Sequence, residues 1–202
     1  MELLLPLGHA FIEHPPMKGK GVAIVTMGGS WGVALSDCLE EEGLIVPELD
    51  QKTQGSLRSL GMPLRASTHN PVDIGAAGFA NLSVDAIIQM GRIILTSADI
   101  DALILYGFGR PGLVSEETPL GRKLFLELEK QVMRGYYGLQ KEMGKSVILG
   151  CCLSQWQSQA VCDLQQEGIR IHHCLDEIAQ ILSRMHGDWR KKRAEHEYKR
   201  NK

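Results

Sequence analysis

Three glycines, Gly28, Gly29 and Gly32, follow an apolar segment and lead directly into a helical pattern. A helix that begins in such a turn points the free N–H groups of its first turn, and the positive end of its dipole, at whatever lies above the turn. Glycine also lets a bulky oxyanion approach the backbone closely. The turn therefore predicts a site for a phosphate-like anion, while tight packing of strand against helix explains the same glycines equally well.

The turn does not match the common phosphate-binding motifs. No Gly-Lys-Ser/Thr follows the glycines, which excludes a P-loop, and their spacing fits the G-x-G-x-x-G dinucleotide fingerprint poorly. A flavin electron carrier is also a poor interpretation, because Thr26 and Ser30 are the only hydroxyl residues of the turn. Phosphate held by backbone N–H groups is the first chemistry to consider.

A second loop, His69 to Gly78, falls between the predicted second strand and the next helix, and should reach the same edge of the sheet. Asn70 precedes Pro71, which favours an extended backbone at Asn70. The carboxylate of Asp73 has two interpretations. It accepts hydrogen bonds from backbone N–H groups in an Asx-type turn, or it meets a ligand.

A third segment, Tyr106 to Gly112, follows a predicted strand end and therefore lies at the same rim. Within it, Arg110 either offers bidentate donors to a carboxylate or phosphate, or is a solvated loop arginine. Trp156 stands at a later junction of loop and helix. We interpret it as a packing residue.

Strand and helix patterns alternate from Gly21 onward, which is typical of a parallel sheet covered by helices on both faces. We predict an α/β fold with a flavodoxin-like, doubly wound, five-stranded parallel sheet, in which ligands bind past the carboxyl ends of the strands. The predicted strands are Gly21–Thr26, Leu44–Val46, Ala102–Tyr106, Ser146–Leu149 and Ile169–His172. The predicted helices are Trp31–Glu42, Thr53–Leu60, Ser83–Thr96, Thr118–Met143, Ser154–Glu167 and Asp176–Met185.

Three segments are predicted along the chain. Residues 1–20 resemble a lead-in or linker, residues 21–187 form the flavodoxin-like domain, and residues 188–202 form a charged tail. The tail interleaves Lys and Arg with Glu, as in a solvated helical extension or a frayed end.

Composition narrows the classes of partner. The 202 residues include 44% hydrophobic residues and carry a formal charge of -2, which predicts a soluble protein with no nucleic-acid partner. No apolar run reaches the roughly 18 residues that a membrane span needs, so we expect no membrane and a cytoplasmic location. The five cysteines form no C-x-x-C pair, which indicates a reducing compartment.

A metal site is not expected at the adjacent residues His172, His173 and Cys174. Neighbouring side chains on a strand point to opposite faces and therefore do not chelate one ion together.

The two glycine-rich loops together resemble the NDP-forming acyl-CoA synthetases, the ADP-forming acetyl-CoA synthetase relatives of succinyl-CoA synthetase. The likeness extends from about Lys18 to Glu177 and covers most of the chain. The residues that carry it are Val22–Thr26, Gly29, Gly32, Asp37, Leu39–Leu44 and Asn70–Asp73.

The resemblance implies a reaction in which acyl-CoA, a nucleoside diphosphate and phosphate exchange with the free acid, CoA and a nucleoside triphosphate through a phosphohistidine. In this family a glycine-rich helix start of a ligase-CoA domain faces the phosphorylated histidine, which suits a helix dipole. By this likeness, the N–H groups that would bind the phosphate belong to Gly28, Gly29, Ser30, Trp31 and Gly32. The second-loop residues expected beside them are Asn70, Asp73 and Gly75.

Other parts of such an enzyme have no counterpart in this sequence. We find no CoA-binding Rossmann domain, no histidine-bearing ligase domain that matches the family and no ATP-grasp pattern. The resemblance therefore implies that partner domains bind CoA, ATP or ADP and Mg²⁺ and supply the phosphohistidine, and that this chain has no catalytic residue, metal or cofactor of its own. His9, His14 and His69 do not match the family's phosphohistidine context.

This chain departs from the family within the glycine-rich turn. Met27 stands where the family usually has Asn, and Ser30 and Trp31 stand where it usually has Gly-Pro. Ser30 is a good N-cap, and the N–H of Trp31 is expected to stay available. The bulk of Trp31 favours an alternative function, a noncatalytic α/β binding or regulatory module or a truncated remnant of the synthetase.

Overall fold

A computed structural model describes residues 3–75, 82–109 and 119–200, with the backbone alone for residues 119–122. The strands are β1 (Val22–Thr26), β2 (Val72–Asp73), β3 (Ala102–Tyr106), β4 (Ser146–Gly150) and β5 (Ile171–His172). The helices are α1 (Leu4–Glu13), α2 (Gly29–Glu41), α3 (Gln51–Ser59), α4 (Val84–Leu95), α5 (Pro119–Met143), α6 (Gln159–Gln166) and α7 (Leu175–Arg200). The predicted rim residue Arg110 and the end of the second loop, residues 76–78, lie outside the described residues.

The five strands form one parallel sheet in the order β2-β1-β3-β4-β5. This is the flavodoxin-like order, and the predicted fold class is confirmed. The strand order reverses at β1, between β2 and β3, so the loops that follow β1 and β3 flank the crevice where doubly wound sheets bind ligands.

Both faces of the sheet are buried, because alternate residues of each strand enter different cores. Val22 and Ile24 pack into a core with residues of α1, α2 and α7, while Ala23 and Val25 pack into the opposite core with residues of α3, α4, α5 and α6. This alternation explains why β1 is apolar throughout rather than apolar at every second residue.

The second strand differs from the sequence prediction. Leu44–Val46 was expected to be a strand, but Ile45 makes only an isolated bridge with Gly21 and is 53% exposed. Val72–Asp73, which was expected to be loop, pairs instead with Val25 and Thr26 of β1. Pro47 follows the expected strand and has no N–H to extend its pairing.

Helices α2 to α5 begin and end within two residues of their predicted bounds, whereas α7 continues well past its predicted end, and side-chain caps mark several helix starts. Ser83 caps α4 by accepting from the Ala86 N–H, and Ser158 caps α6 by accepting from the Val161 N–H. The α6 helix therefore begins at Gln159, five residues later than expected from the sequence.

The terminal segments are helical in part. Helix α7 continues without a break through the charged residues to Arg200. At the other end, α1 lies within the predicted lead-in, and Ala10 and Met17 are fully buried in the core shared with α2 and α7. The domain boundaries proposed from the sequence stay a prediction.

Protonation of His14 is expected to make stability depend on pH. Its Nδ1 lies 2.6 Å from Oε1 of Gln140, and burial lowers its pKa from 6.5 to about 4. Between these values the unfolded chain binds the proton more tightly, so stability falls as the pH drops below about 6.5. We expect this residue to remove about 0.7 kcal/mol between pH 7 and pH 6.

Urea unfolding of the parent and of His14→Gln at both pH values measures this contribution. The stability difference between the two proteins should shrink or reverse at pH 6 in favour of the variant, because the variant carries no titrating group at this position. An unchanged difference would show that His14 is not held neutral by the fold.

Candidate functional site

The candidate site begins where β1 ends and α2 starts. Gly28 is the N-cap of α2, with an extended backbone and no side-chain cap. The hydroxyl of Thr26 lies 3.2 Å from both the N–H and the carbonyl oxygen of Gly28, which fixes the turn between strand and helix. The expectation that Ser30 is the N-cap is wrong, because Ser30 is the second residue of the helix.

Most of the five predicted N–H donors are engaged within the chain. The Gly28 N–H donates to Oγ1 of Thr26, and the N–H groups of Trp31 and Gly32 donate to the Gly28 carbonyl at 3.0 and 3.4 Å. The expectation that the Trp31 N–H stays available is therefore wrong.

Two donors are left for an anion. The N–H groups of Gly29 and Ser30 have no acceptor in the described part of the chain, and both residues are exposed. They lie at the positive end of the α2 dipole, and no side chain of the first turn is acidic. The geometry can therefore offer two backbone hydrogen bonds to an oxyanion, fewer than the five expected.

Gly32 and Gly29 differ in what a side chain at each position would contact. A Cβ at Gly32 would lie 2.9 Å from Cβ of Pro71, so Gly32 allows the first turn of α2 to pack against the second loop. A Cβ at Gly29 would lie 3.2 Å from Oδ2 of Asp73. Close packing thus explains Gly32, whereas Gly29 stands beside a charged group at the exposed helix start.

Asn70 holds the second loop against β1. Its Oδ1 accepts from the Ile24 N–H at 2.9 Å, and its Nδ2 donates to the carbonyl oxygens of Val22 at 2.8 Å and Pro47 at 3.0 Å. The side chain therefore forms hydrogen bonds with backbone groups on the open edge of β1, just before β2 begins. Both ends of the amide bind backbone groups, so Asn70 positions the loop and does not offer its amide to a ligand.

Asp73 is the second-loop residue that reaches the start of α2. One carboxylate oxygen accepts from the Gly75 N–H at 2.9 Å, as expected for an Asx-type turn, while the other is the oxygen near Gly29. Gly75 has a φ of 70°, in the left-handed region that favours glycine. Asp73 places a negative charge at the positive end of the helix dipole, which stabilises the helix and opposes a second anion.

The loop after β3 closes the other side of the turn. Gly107 has a φ of 90° and donates its N–H to the Gly150 carbonyl, while Phe108 is fully buried. The ring of Trp31 packs against that of Tyr106 at a centroid distance of 5.4 Å. The Trp31 side chain is therefore anchored on the end of β3.

Two residues outside this turn were misjudged or missed from the sequence. Trp156 was expected to pack, but its side chain is 87% exposed in the loop between β4 and α6. His172 is buried, and its Nδ1 lies 2.5 Å from Oε1 of Glu177 in the first turn of α7. The five-residue spacing of this pair, across a strand end and a helix start, is the only sequence signal for it.

Neither a metal site nor a membrane span is found in the described ranges. No group of three or more His, Cys, Asp and Glu side chains there could hold a metal ion. None of the helices there has the length and apolar character to cross a membrane.

Comparison with known proteins gives the site a context. No family model matches the chain. Among curated proteins, subunit alpha of the ADP-forming acetate–CoA ligase II of Pyrococcus furiosus is 33% identical over 101 residues. The chain is similar to one part of an ADP-forming acetate–CoA ligase subunit. The resemblance to ADP-forming acyl-CoA synthetases stated from the sequence is confirmed.

The match covers 50% of this chain and 21% of the P. furiosus ligase subunit. Among solved structures, PH0766 from Pyrococcus horikoshii OT3 superposes with a TM-score of 0.70 at 23% identity, over 92% of this chain and 39% of that protein.

The dinucleotide-forming acetyl-coenzyme A synthetase 1 of Ca. Korarchaeum cryptofilum gives a TM-score of 0.70 in its apo form, at 19% identity over 95% of this chain and 38% of the synthetase. Its complex with phosphate and ADP gives 0.69 at 20% identity, with the same coverage of 95% and 38%. At these identities the structural likeness shows the fold alone. The chain spans well under half the length of each of these proteins.

Proposed function

We propose that this chain acts as the ligase-CoA domain of an NDP-forming acyl-CoA synthetase, with its α2 helix start facing a phosphorylated histidine on a partner domain. Partner domains would bind CoA, the nucleotide and Mg²⁺, and the full reaction would exchange acyl-CoA, nucleoside diphosphate and phosphate for acid, CoA and nucleoside triphosphate. The observation that carries the proposal is the likeness to the ligase subunit of P. furiosus. The two available N–H groups at the start of α2 support it.

The role of the turn would be electrostatic. The N–H groups of Gly29 and Ser30 and the α2 dipole would hold the phosphoryl oxygens while the phosphate is on the histidine. Because these donors are fixed by the fold, no reorganisation is needed when the phosphoryl group arrives. The turn contributes binding and orientation, and no side chain of this chain is assigned a proton or bond-breaking role.

Engagement of the Trp31 N–H is compatible with this role. The family usually has proline at this position, and proline has no N–H. A phosphate site of the family's kind therefore does not need a donor here. The Trp31 N–H instead closes the first turn on the Gly28 carbonyl at 3.0 Å.

A noncatalytic binding or regulatory module is the second candidate. The observation in its favour is the Asp73 carboxylate beside Gly29, because a fixed negative charge opposes binding of a phosphate dianion at the same helix start. In that case the fold would be kept while the turn no longer binds the phosphoryl group.

A reconstituted phosphoryl-transfer assay separates the two candidates. The chain is mixed with the CoA-binding, histidine-bearing and ATP-grasp domains of an ADP-forming synthetase that lacks its corresponding ligase-CoA domain. Labelled ATP, Mg²⁺, acetate and CoA are added, and acid-labile protein phosphate and acetyl-CoA are measured. We expect both products only when the chain is present.

Substitutions at Ser30 test whether the backbone donor matters. Proline is tolerated in the first turn of a helix and removes the N–H, so Ser30→Pro should lower both products. Ser30→Ala is the matched control, because it removes the hydroxyl and keeps the N–H. Lack of stimulation by the folded chain would support the noncatalytic module, whereas equal activity of both variants and the parent would show that the Ser30 N–H does not bind the phosphoryl group.

A further inference from the structure

A second cleft lies away from the α2 turn, along the edge strand β5. It has a volume of about 690 Å³ and is bounded by the loop after β4, the residues of β5 and the first turn of α7, with His9 of α1 at one side. We call it the β5 cleft and define it by Trp156, Arg170, His172, Glu177 and His9. None of these residues belongs to the candidate phosphate site.

Polar atoms in the β5 cleft are left without partners. Nε of Arg170, Nε2 of His172 and Nδ1 of His9 are buried and have no hydrogen-bond partner among the described residues. The His172 side chain is only 1% exposed, and its other nitrogen is fixed by Glu177. Buried polar groups are normally satisfied, so several such atoms around one cleft indicate a polar ligand group that completes them.

The charge in the β5 cleft favours a single negative charge on the ligand. Glu177 is held as a carboxylate, since the hydrogen bond from His172 lowers its pKa and Arg170 lowers it further. Burial lowers the pKa of His9, and the charge of Arg170 lowers it further, which favours neutral His9. The guanidinium of Arg170 is thus the main fixed cation, and the Glu177 carboxylate would repel a dianion more strongly than a monoanion.

The exposed ring of Trp156 offers an apolar surface on which the uncharged part of a ligand can pack. This side chain is 87% exposed and lines the cleft, although large aromatic side chains normally bury most of their surface. A flat apolar group beside a carboxylate would cover the indole while the carboxylate meets the guanidinium of Arg170, whose planar fork matches carboxylate geometry.

We propose that the β5 cleft binds a small carboxylate carried on a flat apolar group, with the carboxylate at Arg170 and the flat group on Trp156. The remaining donor or acceptor at Nε2 of His172 would complete the polar end of the site. This binding is separate from the phosphate role of the α2 turn and does not depend on it.

Benzoate is the probe that tests the proposal, because it combines a carboxylate with a flat ring. We titrate it into the ¹⁵N-labelled chain and follow the indole N–H signal of Trp156, which Trp156→Phe identifies. A saturable shift of this signal is expected. Acetate lacks the ring and benzyl alcohol lacks the charge, so each should bind at least fivefold more weakly than benzoate.

Variants separate the contribution of the charge from that of the ring. Arg170→Gln should weaken benzoate binding about tenfold, whereas Arg65→Gln, an exposed arginine outside the cleft, should leave it within twofold. Trp156→Ala changes an exposed side chain, so the fold should persist while benzoate binding weakens, as followed by the shifts of backbone amides around the cleft.

Three results would overturn the proposal. One is the absence of a saturable shift at Trp156 in the folded chain. Another is equal benzoate affinity in Arg170→Gln and the parent. Benzoate shifts confined to the amides of Gly29 and Ser30 would likewise contradict it, since they would place the carboxylate at the α2 turn.

Discussion

Replacing Asn70 with alanine is expected to lower the free energy of unfolding by about 3 kcal/mol. The amide accepts from the Ile24 N–H and donates to the carbonyl oxygens of Val22 and Pro47, all within 3.0 Å. Alanine would leave these backbone groups without partners at a site where the protein covers much of their surface. The cost per group is about 1 kcal/mol, and the three together exceed any single hydrogen bond of the loop.

Chemical unfolding of the parent and variant measures this loss. Gln54→Ala is a suitable control, because the Gln54 amide also donates to a backbone carbonyl, that of Leu49 at 2.7 Å, while its other hydrogen bonds, at 3.4 and 3.5 Å, join it to side chains and not to backbone groups. We expect it to cost about 1 kcal/mol.

Asn70→Asp tests the two donated hydrogen bonds separately from the accepted one. It keeps an acceptor for the Ile24 N–H but turns an oxygen toward the carbonyls of Val22 and Pro47, so it should destabilise at least as much as alanine. A tolerated aspartate would show that the two donated bonds contribute little.

The sequence could predict the strands that are long and apolar. In β1, β3 and β4, five buried residues in a row reflect a sheet covered on both faces, and this pattern is visible without any tertiary information. In β2 only Val72 is buried, between Pro71 and Asp73, so the strand has no local hydrophobic signal. It forms because Asn70 brings the loop against the open edge of β1, which is a tertiary effect.

The location of the candidate site followed from the topology, but its donor groups did not. Whether a first-turn N–H is available depends on where the helix begins and on whether that N–H closes the turn. Those features follow from the extended backbone of Gly28 and the hydroxyl of Thr26. The position of the turn is therefore visible in the sequence, whereas the number of its available N–H donors is not. The approach of Asp73 to Gly29 likewise depends on how the second loop folds back.

Asp73→Asn is expected to increase the affinity of the chain for inorganic phosphate about thirtyfold, equivalent to about 2 kcal/mol. Oδ2 of Asp73 lies close to Gly29, so a phosphate on the N–H groups of Gly29 and Ser30 would be roughly 6 Å from the carboxylate. At that distance the repulsion between like charges near a protein surface is about 2 to 3 kcal/mol per charge pair before salt screening. Asparagine keeps an oxygen that can accept from the Gly75 N–H, so the turn should persist.

Phosphate titrations followed by the amide signals of Gly29 and Ser30 measure the effect, without Mg²⁺ and at low and high salt. Asp37→Asn is the matched control: it makes the same charge change on an exposed residue of α2. Asp37 is about 12 Å further along the helix, beyond one Debye length at ~0.1 M salt, so its effect should be small. The gain from Asp73→Asn should shrink as salt is added, because the repulsion is screened.

A loss of phosphate affinity in Asp73→Asn would contradict the repulsion argument. If that loss appeared only with Mg²⁺ present, the carboxylate would act by holding a cation between itself and the phosphate, since carboxylates and phosphate oxygens are the ligands that Mg²⁺ prefers. The same carboxylate would then support phosphate binding. The sign of the change, measured with and without Mg²⁺, therefore decides whether Asp73 disables the α2 turn as a phosphate site or makes its phosphate binding depend on a divalent cation.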